Sequence, residues 1–212
     1  MTDPWSERAE LYRTSTAHST GADLDLVVEW AHGCASAIDV ATGGGHVARR
    51  LREAGLEVVS CDPSPGMQPD VVCFAEELPF ADRSFELGVT RVAAHHFDDV
   101  ALATRELGRV ASKRVVVVDT MHEDDDLELG EKLRDPSHVR NYTEAEWRSF
   151  FGGAGLVIDE VRVFDHPVEL EPWLERTGCA GADADRVREL LAGRTSGGML
   201  ALKRIALLGH PV

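Results

Sequence analysis

Short apolar runs and helical stripes alternate along this chain. Runs with strand character fall at Ala35–Val40, Leu56–Asp62, Asp70–Phe74, Phe85–Thr90, Arg114–Thr120, Leu156–Phe164 and Met199–Leu208. Between them, apolar residues recur every three or four positions at Ala22–Ala31, His46–Ala54, Asp99–Ala111, Thr143–Ala154, Leu170–Arg176 and Asp183–Ala192. Val47, Leu51 and Ala54 share one face of the second stripe, and Val100, Ala103, Leu107 and Val110 share one face of the third. Asp98 or Asp99 can cap the third stripe, and Thr143-Glu144-Ala145-Glu146 reads as a capping box for the fourth. That fourth helix puts Trp147 and Phe150/Phe151 at core or cleft positions and stops at Gly152-Gly153-Ala154-Gly155. Strands alternating with helices predict an α/β fold with a doubly wound, mainly parallel seven-stranded sheet.

The exit of the first strand carries the most chemistry. Ile38-Asp39-Val40-Ala41-Thr42-Gly43-Gly44-Gly45 runs straight into the stripe that begins at His46. Gly43 and Gly45 can adopt positive φ and lack a Cβ, so backbone can approach a ligand closely. The exposed N–H groups of the following helix favour polar or anionic ligand groups. A strand buried on both faces should be apolar, so Asp39 at its tip needs a partner other than packing. A sulfonium cofactor offers one, in its cationic sulfur and ammonium group. A nicotinamide dinucleotide brings a pyrophosphate instead, which Asp39 would repel, although Gly43-Gly44-Gly45-His46-Val47-Ala48 also satisfies the dinucleotide pattern. Asp62, at the tip of the second strand, lies 19 residues beyond Gly43 and suits the ribose hydroxyls of either cofactor.

The acid-x-Gly-x-Gly-x-Gly motif, filled here by Asp39, Ala41, Gly43 and Gly45 with Ala in place of the first Gly, resembles that of the class I S-adenosylmethionine-dependent methyltransferases. Ala75-Glu76-Glu77-Leu78-Pro79-Phe80 with Asp82-Arg83-Ser84-Phe85-Glu86-Leu87 is similar to a segment of the small-molecule members related to ubiquinone and menaquinone biosynthesis enzymes. Arg91-Val92-Ala93-Ala94-His95-His96-Phe97, Arg134–Arg140 and the lead-in Ser15–Gly21 extend the likeness from about Tyr12 to Leu174. The resemblance implies a Rossmann-like sheet whose last strand is antiparallel, beside the sixth. It implies that Asp39, Ala41, Gly43 and Gly45 hold the methionine part of S-adenosylmethionine and Asp62, with Pro63, the ribose. Ala75 and Glu76 would then meet the adenine edge, and Arg91 and Val92 the pocket floor. Methyl transfer from an activated sulfonium needs alignment, a dry pocket and, for a protic acceptor, a base. Histidine is the best base near neutral pH, which makes His95 and His96 the catalytic candidates, ahead of His138, Tyr142 and His18.

Two departures from the family pattern stand out. Pro63, Pro65 and Pro69 leave no helix between the second and third strands. A parallel crossover normally takes a dozen residues, yet the extended link reaches roughly 23 Å at about 3.3 Å per residue, enough to return along a strand about 17 Å long. Phe74 stands where the family places an acid for the adenine amino group. Without the missing helix that sheet face lacks its cover, and a homodimer burying the edge would supply it. Ala111-Ser112-Lys113-Arg114 also replaces a longer turn, and Leu191–Gly198 leaves little room for an insertion over the acceptor, so the cleft is expected to be open or completed by another subunit.

Composition narrows the partners. With 212 residues, 43% of them hydrophobic, the chain is expected to form one domain over 1–212, with a lead-in or lid at 1–34, a cofactor-binding core at 35–120 and an acceptor-side half at 121–212. A formal charge of −15 repels nucleic acid and anionic lipid. Cys34, Cys61, Cys73 and Cys179 lack metal-ligand spacing and suit a reducing cytoplasm, and no apolar run approaches a bilayer-spanning length. The acids Glu123–Asp126 read as a solvated loop rather than a metal site. The chain is therefore expected to be a cytoplasmic S-adenosylmethionine-dependent methyltransferase acting on a small molecule. A methyltransferase-like binding module that has lost its chemistry and, further off, an NAD-dependent oxidoreductase are the alternatives.

Overall fold

The computed structural model describes residues 4–14 and 19–212. β1 (Ser36–Val40) runs parallel to β2 (Glu57–Asp62) on one side and to β4 (Phe85–Arg91) on the other. With β3 (Val71–Val72), β5 (Ala111–Thr120), β6 (Leu156–Asp165) and β10 (Lys203–Pro211) they form a seven-stranded sheet in the order β3-β2-β1-β4-β5-β10-β6. β10 alone is antiparallel, against both β5 and β6. The expected doubly wound sheet with an antiparallel last strand is thus present.

Burial on both faces explains why these runs read as continuous apolar strands. In β5, Val115 and Val117 enter one core while Val116 and Val118 enter the other. α2 (Ala22–Trp30) and α3 (His46–Glu53) close the second core, contributing Leu24, Val27, Val47 and Leu51. α4 (Val100–Val110) and α6 (Glu144–Gly153) close the first, and Trp147 and Phe151 are fully inside it. Both expected caps form: Asp99 Oδ1 accepts from the Leu102 N–H at 2.9 Å, and Thr143 and Glu146 make a reciprocal capping box.

The short link after β2 folds as one 3-10 turn, Pro65–Met67, and the strand expected at Asp70–Phe74 keeps only Val71 and Val72 in the ladder. Asp70 pins the return by accepting from the Ser60 N–H, the Ser60 hydroxyl and Arg52. The gap left by the missing helix is met in part from within the chain. α1 (Pro4–Arg13) docks on the turn, where Ser6 Oγ accepts from the Gly66 N–H at 2.9 Å and Arg13 donates to the Gly66 carbonyl at 2.9 Å. Val72 and Phe74 stay exposed at this edge. A Cβ on Gly66 would lie 2.4 Å from Ser6 Cα. Gly66→Ala should therefore undock α1 while sparing the sheet, which hydrogen exchange would report as at least tenfold faster exchange in 4–13 alone.

A third apolar cluster departs from the sequence reading. The acids Glu123–Asp126 do not form a solvated loop: Asp124 N-caps α5 (Asp125–Arg134), accepting from the Leu127 N–H at 2.8 Å, and Asp125 and Asp126 sit in its first turn, where the helix dipole favours them. α5 packs with α7 (Leu170–Glu175) and α8 (Gly181–Leu190) through Leu127, Leu174, Val187 and Leu191. The strand expected at Met199–Leu208 is likewise two pieces. Gly197 and Gly198, both at positive φ, turn the chain so that β8 (Thr195–Ser196) pairs with β9 (Met199–Leu200), which in turn pairs with β7 (Val168–Glu169). Only from Lys203 does the chain enter the main sheet. This layer of short strands packs beside α5, α7 and α8 in the half of the chain after β5. Among the described residues no helix is long and apolar enough to cross a membrane.

Candidate active site

The strand order reverses direction of growth between β1 and β4, and open α/β sheets bind ligands outside the carboxyl ends of strands at such a point. A cavity of about 470 Å³ lies there. Asp39, Ala41, Gly43, Asp62, Pro63, Ala75, Glu76, Arg91 and Val92, which the sequence reading assigns to a cofactor site, all line it. Gly45 does not. It sits behind the wall as the left-handed N-cap of α3, at φ 73. Ala41 and Val92, at the tips of β1 and β4, have φ near 56. Left-handed backbone at an alanine and at a β-branched residue is strained, and both strained positions face the cavity.

Asp39 divides its carboxylate between structure and cavity. Oδ2 accepts from the Thr42 hydroxyl at 2.5 Å and from the Ala48 N–H at 3.0 Å, tying β1 to the first turn of α3. Among the described residues Oδ1 accepts no hydrogen bond, and Asp39 lines the cavity. Burial, only partly offset by those two bonds, pushes its pKa up to about 6. The glycine turn is held open by Asp62, whose Oδ2 accepts from the Gly43 N–H and Oδ1 from the Ser64 N–H, both at 2.9 Å. Glu76 lines the cavity, but its Oε1 also accepts from the Asp99 N–H at 3.3 Å, anchoring the start of α4. Arg91 donates to Asp23 at 2.7 Å, deep in the protein.

α1 roofs the cavity, with Trp5 and Tyr12 in the lining. The Tyr12 carbonyl accepts from His46 Nε2 at 2.8 Å, and a Cβ on Gly44 would lie 2.5 Å from that oxygen. So Gly44, the middle glycine, serves the roof. Trp5, Tyr12, Met67 and Asp98 are lining residues that sequence reasoning missed, although Trp5 and Tyr12 share one helical face by their spacing.

The histidines after β4 occupy a 3-10 turn, Ala94–His96. His95 does not reach the main cavity. It lines a second, smaller one of about 60 Å³, which shares Tyr12, Val92 and His96 with the first. Its Nδ1 lies 2.6 Å from Asp119 Oδ1, and its backbone N–H donates to Asp119 Oδ2 at 2.9 Å. Burial disfavours a charged ring, but the carboxylate of Asp119 outweighs it and lifts the His95 pKa above its usual value. Burial and the neighbouring His95 push His96 down to about 3. The Ser137 carbonyl, 3.0 Å from His96 Nδ1, fixes that proton and leaves the lone pair on Nε2. His138 is buried beside both rings and bonded to Glu128 at 3.1 Å, lining neither cavity. Tyr142 packs in the core on Trp147 and Phe150. His18 lies outside the described residues.

The methyltransferase domain family matches residues 38–118. The uncharacterized methyltransferase YcgJ of Bacillus subtilis is 32% identical over 213 residues, spanning 89% of this chain and 83% of its own. The chain belongs to the class I S-adenosylmethionine-dependent methyltransferases. The crystal structure of the same YcgJ protein superposes with a TM-score of 0.82 at 26% identity, over 89% of this chain and 97% of that one. A demethylmenaquinone methyltransferase of Corynebacterium kroppenstedtii is 35% identical, but over 34% of this chain and 35% of its own. This methyltransferase thus keeps the family sheet while building its second crossover as a single turn under α1.

Proposed function

We propose that this methyltransferase passes a methyl group from S-adenosylmethionine to a small molecule held between the two cavities, with His95 as the base for a protic acceptor. The charge of the main cavity carries this reading. Asp39, Asp62, Glu76 and Asp98 line it, and Arg91, the lining arginine, is paired with Asp23. Such a wall attracts a sulfonium and an ammonium group and repels a pyrophosphate. The bound cofactor supplies an electrophilic methyl whose bonding pair returns to sulfur as the thioether leaves. Asp39 Oδ1 would meet the cationic methionine end and Asp62 the ribose. Ala75, Glu76 and the Phe74 ring would flank the adenine. Trp5 and Tyr12 keep water out from above. With Nδ1 committed to Asp119, His95 would take the acceptor's proton on Nε2.

Calorimetry with S-adenosylmethionine, S-adenosylhomocysteine and NAD tests the assignment. Micromolar binding of the first two and none of NAD is expected. NAD binding would turn the assignment toward hydride transfer, and silence with all three would favour a binding module, consistent with Phe74 replacing the adenine-binding acid.

A further inference from the structure

The second cavity concentrates positive charge in a chain whose formal charge is −15. Arg134, Arg176 and Arg204 line it against Glu131 and Asp135. Three of the acids around it are already engaged. Glu131 takes Arg134 at 2.9 Å, Asp135 accepts from the N–H and hydroxyl of Ser137, and Asp119 holds His95. A fourth, Asp23, is shared by two buried guanidiniums, those of Arg91 and Arg204, and Arg204 Nε is buried without a hydrogen-bond partner. Arg176, at the carboxyl end of α7, is half-buried, and its guanidinium makes no hydrogen bond or ion pair among the described residues. Burial followed by the charge of Arg134 lowers the Arg176 pKa, and burial followed by the charge of Arg204 takes His166 down to about 4. Burial is the larger cause in both, and the neighbouring guanidiniums add to it.

We propose that this cavity holds an oxyanion of the methyl acceptor, a carboxylate or a phosphate, with Arg176 as its charged ligand. This rests on the methyl-transfer reading above. A guanidinium presents a planar fork that matches either oxyanion with two parallel hydrogen bonds. A partly desolvated cation with no partner gains more from such a ligand than a solvated surface arginine does. The space, about 60 Å³, admits a group of a few heavy atoms. Its shared walls, Tyr12, Val92 and His96, aim the rest of an anchored molecule toward the main cavity. An anion seated on Arg176 would therefore set the distance from anchor to methylated atom, and acceptors without the charged group would be poorly aligned.

The test is thermal unfolding and calorimetry of the full chain with sodium acetate and with inorganic phosphate, each against sodium chloride at matched ionic strength. Wild type, Arg176→Met and Arg176→Lys are compared, and S-adenosylhomocysteine binding is measured in parallel. Wild type should bind at least one oxyanion in the millimolar range, Arg176→Met at least fivefold more weakly, and Arg176→Lys in between. S-adenosylhomocysteine affinity should stay within twofold in all three, because Arg176 does not line the main cavity. Stronger binding of acetate identifies a carboxylate acceptor and stronger binding of phosphate a phosphorylated one. Equal oxyanion binding by wild type and Arg176→Met, or none by wild type, overturns the proposal. Failure of S-adenosylhomocysteine to bind wild type overturns the methyl-transfer reading and leaves the oxyanion result to be read separately.

Discussion

Asp39→Asn should make the ligand-free protein more stable and cost it most of its affinity for S-adenosylmethionine. The carboxylate is buried and its pKa raised to about 6, so its charged form at neutral pH is unfavourable by about 3 kcal/mol relative to an ordinary aspartate. A raised carboxyl pKa contributes stability that is fully present below the unfolded value and lost as pH rises through the folded one. The penalty therefore develops between about pH 4 and pH 6 and persists at pH 7. An asparagine can still accept from Thr42 and Ala48 through its carbonyl oxygen while carrying no charge. The expected gain is roughly 6–12 °C in Tm at pH 7, shrinking toward zero near pH 4. With the carboxylate gone, nothing at that position balances the cationic end of the cofactor, and calorimetry should show at least a tenfold loss of affinity. Such an exchange of stability for binding is what a preorganised charged site implies. An unchanged affinity would show that Asp39 is only a brace between β1 and α3.

The second large effect concerns Asp119. His95 gains its raised pKa from this carboxylate, so the stability the pair contributes is fully present below the ordinary histidine pKa and lost as pH rises through the raised value. Catalysis runs the opposite way, because a base must be deprotonated. The acidic limb of kcat/KM should thus lie above pH 6.5, the ordinary histidine value. In Asp119→Asn the limb should move down and kcat should fall about a hundredfold, since the ring loses both its orientation and the stabilisation of its protonated form. NMR titration of the imidazole needs no acceptor and should show the same downward shift. Labelled-methyl transfer into a cell extract reads the rate. A pH profile unmoved by the substitution would leave His95 a structural residue, with the acceptor methylated at an atom that needs no base.

Much of the cofactor side was legible because single residue types dictate it. Glycines permit the turn after β1, an acid in an apolar strand has to be explained, and prolines forbid a helix after β2. The half of the chain after β5 was not. α5 was lost because its opening acids look like solvated sequence, and the helix shows itself only when Asp124 is seen to cap it and Gly130 to admit Leu191, whose Cδ1 would lie 3.2 Å from a Cβ there. The break in the final strand depends on a hairpin at Gly197-Gly198 whose partner, Val168–Glu169, is distant in sequence. The different placing of His95 and His96 was equally hidden: their ring centroids lie 4.1 Å apart and both line the smaller cavity, yet only His96 also reaches the main one, and only the position of Asp119 on β5 decides which ring is held.

The placement of α1 ties two regions together. One short segment both roofs the chamber over the glycine turn and rests on the turn that replaces the missing crossover, beside a sheet edge where Val72 and Phe74 stay exposed. A change that loosens the grip of Ser6 and Arg13 on Gly66 therefore reaches the roof over the glycine turn as well, because both contacts belong to the same ten residues.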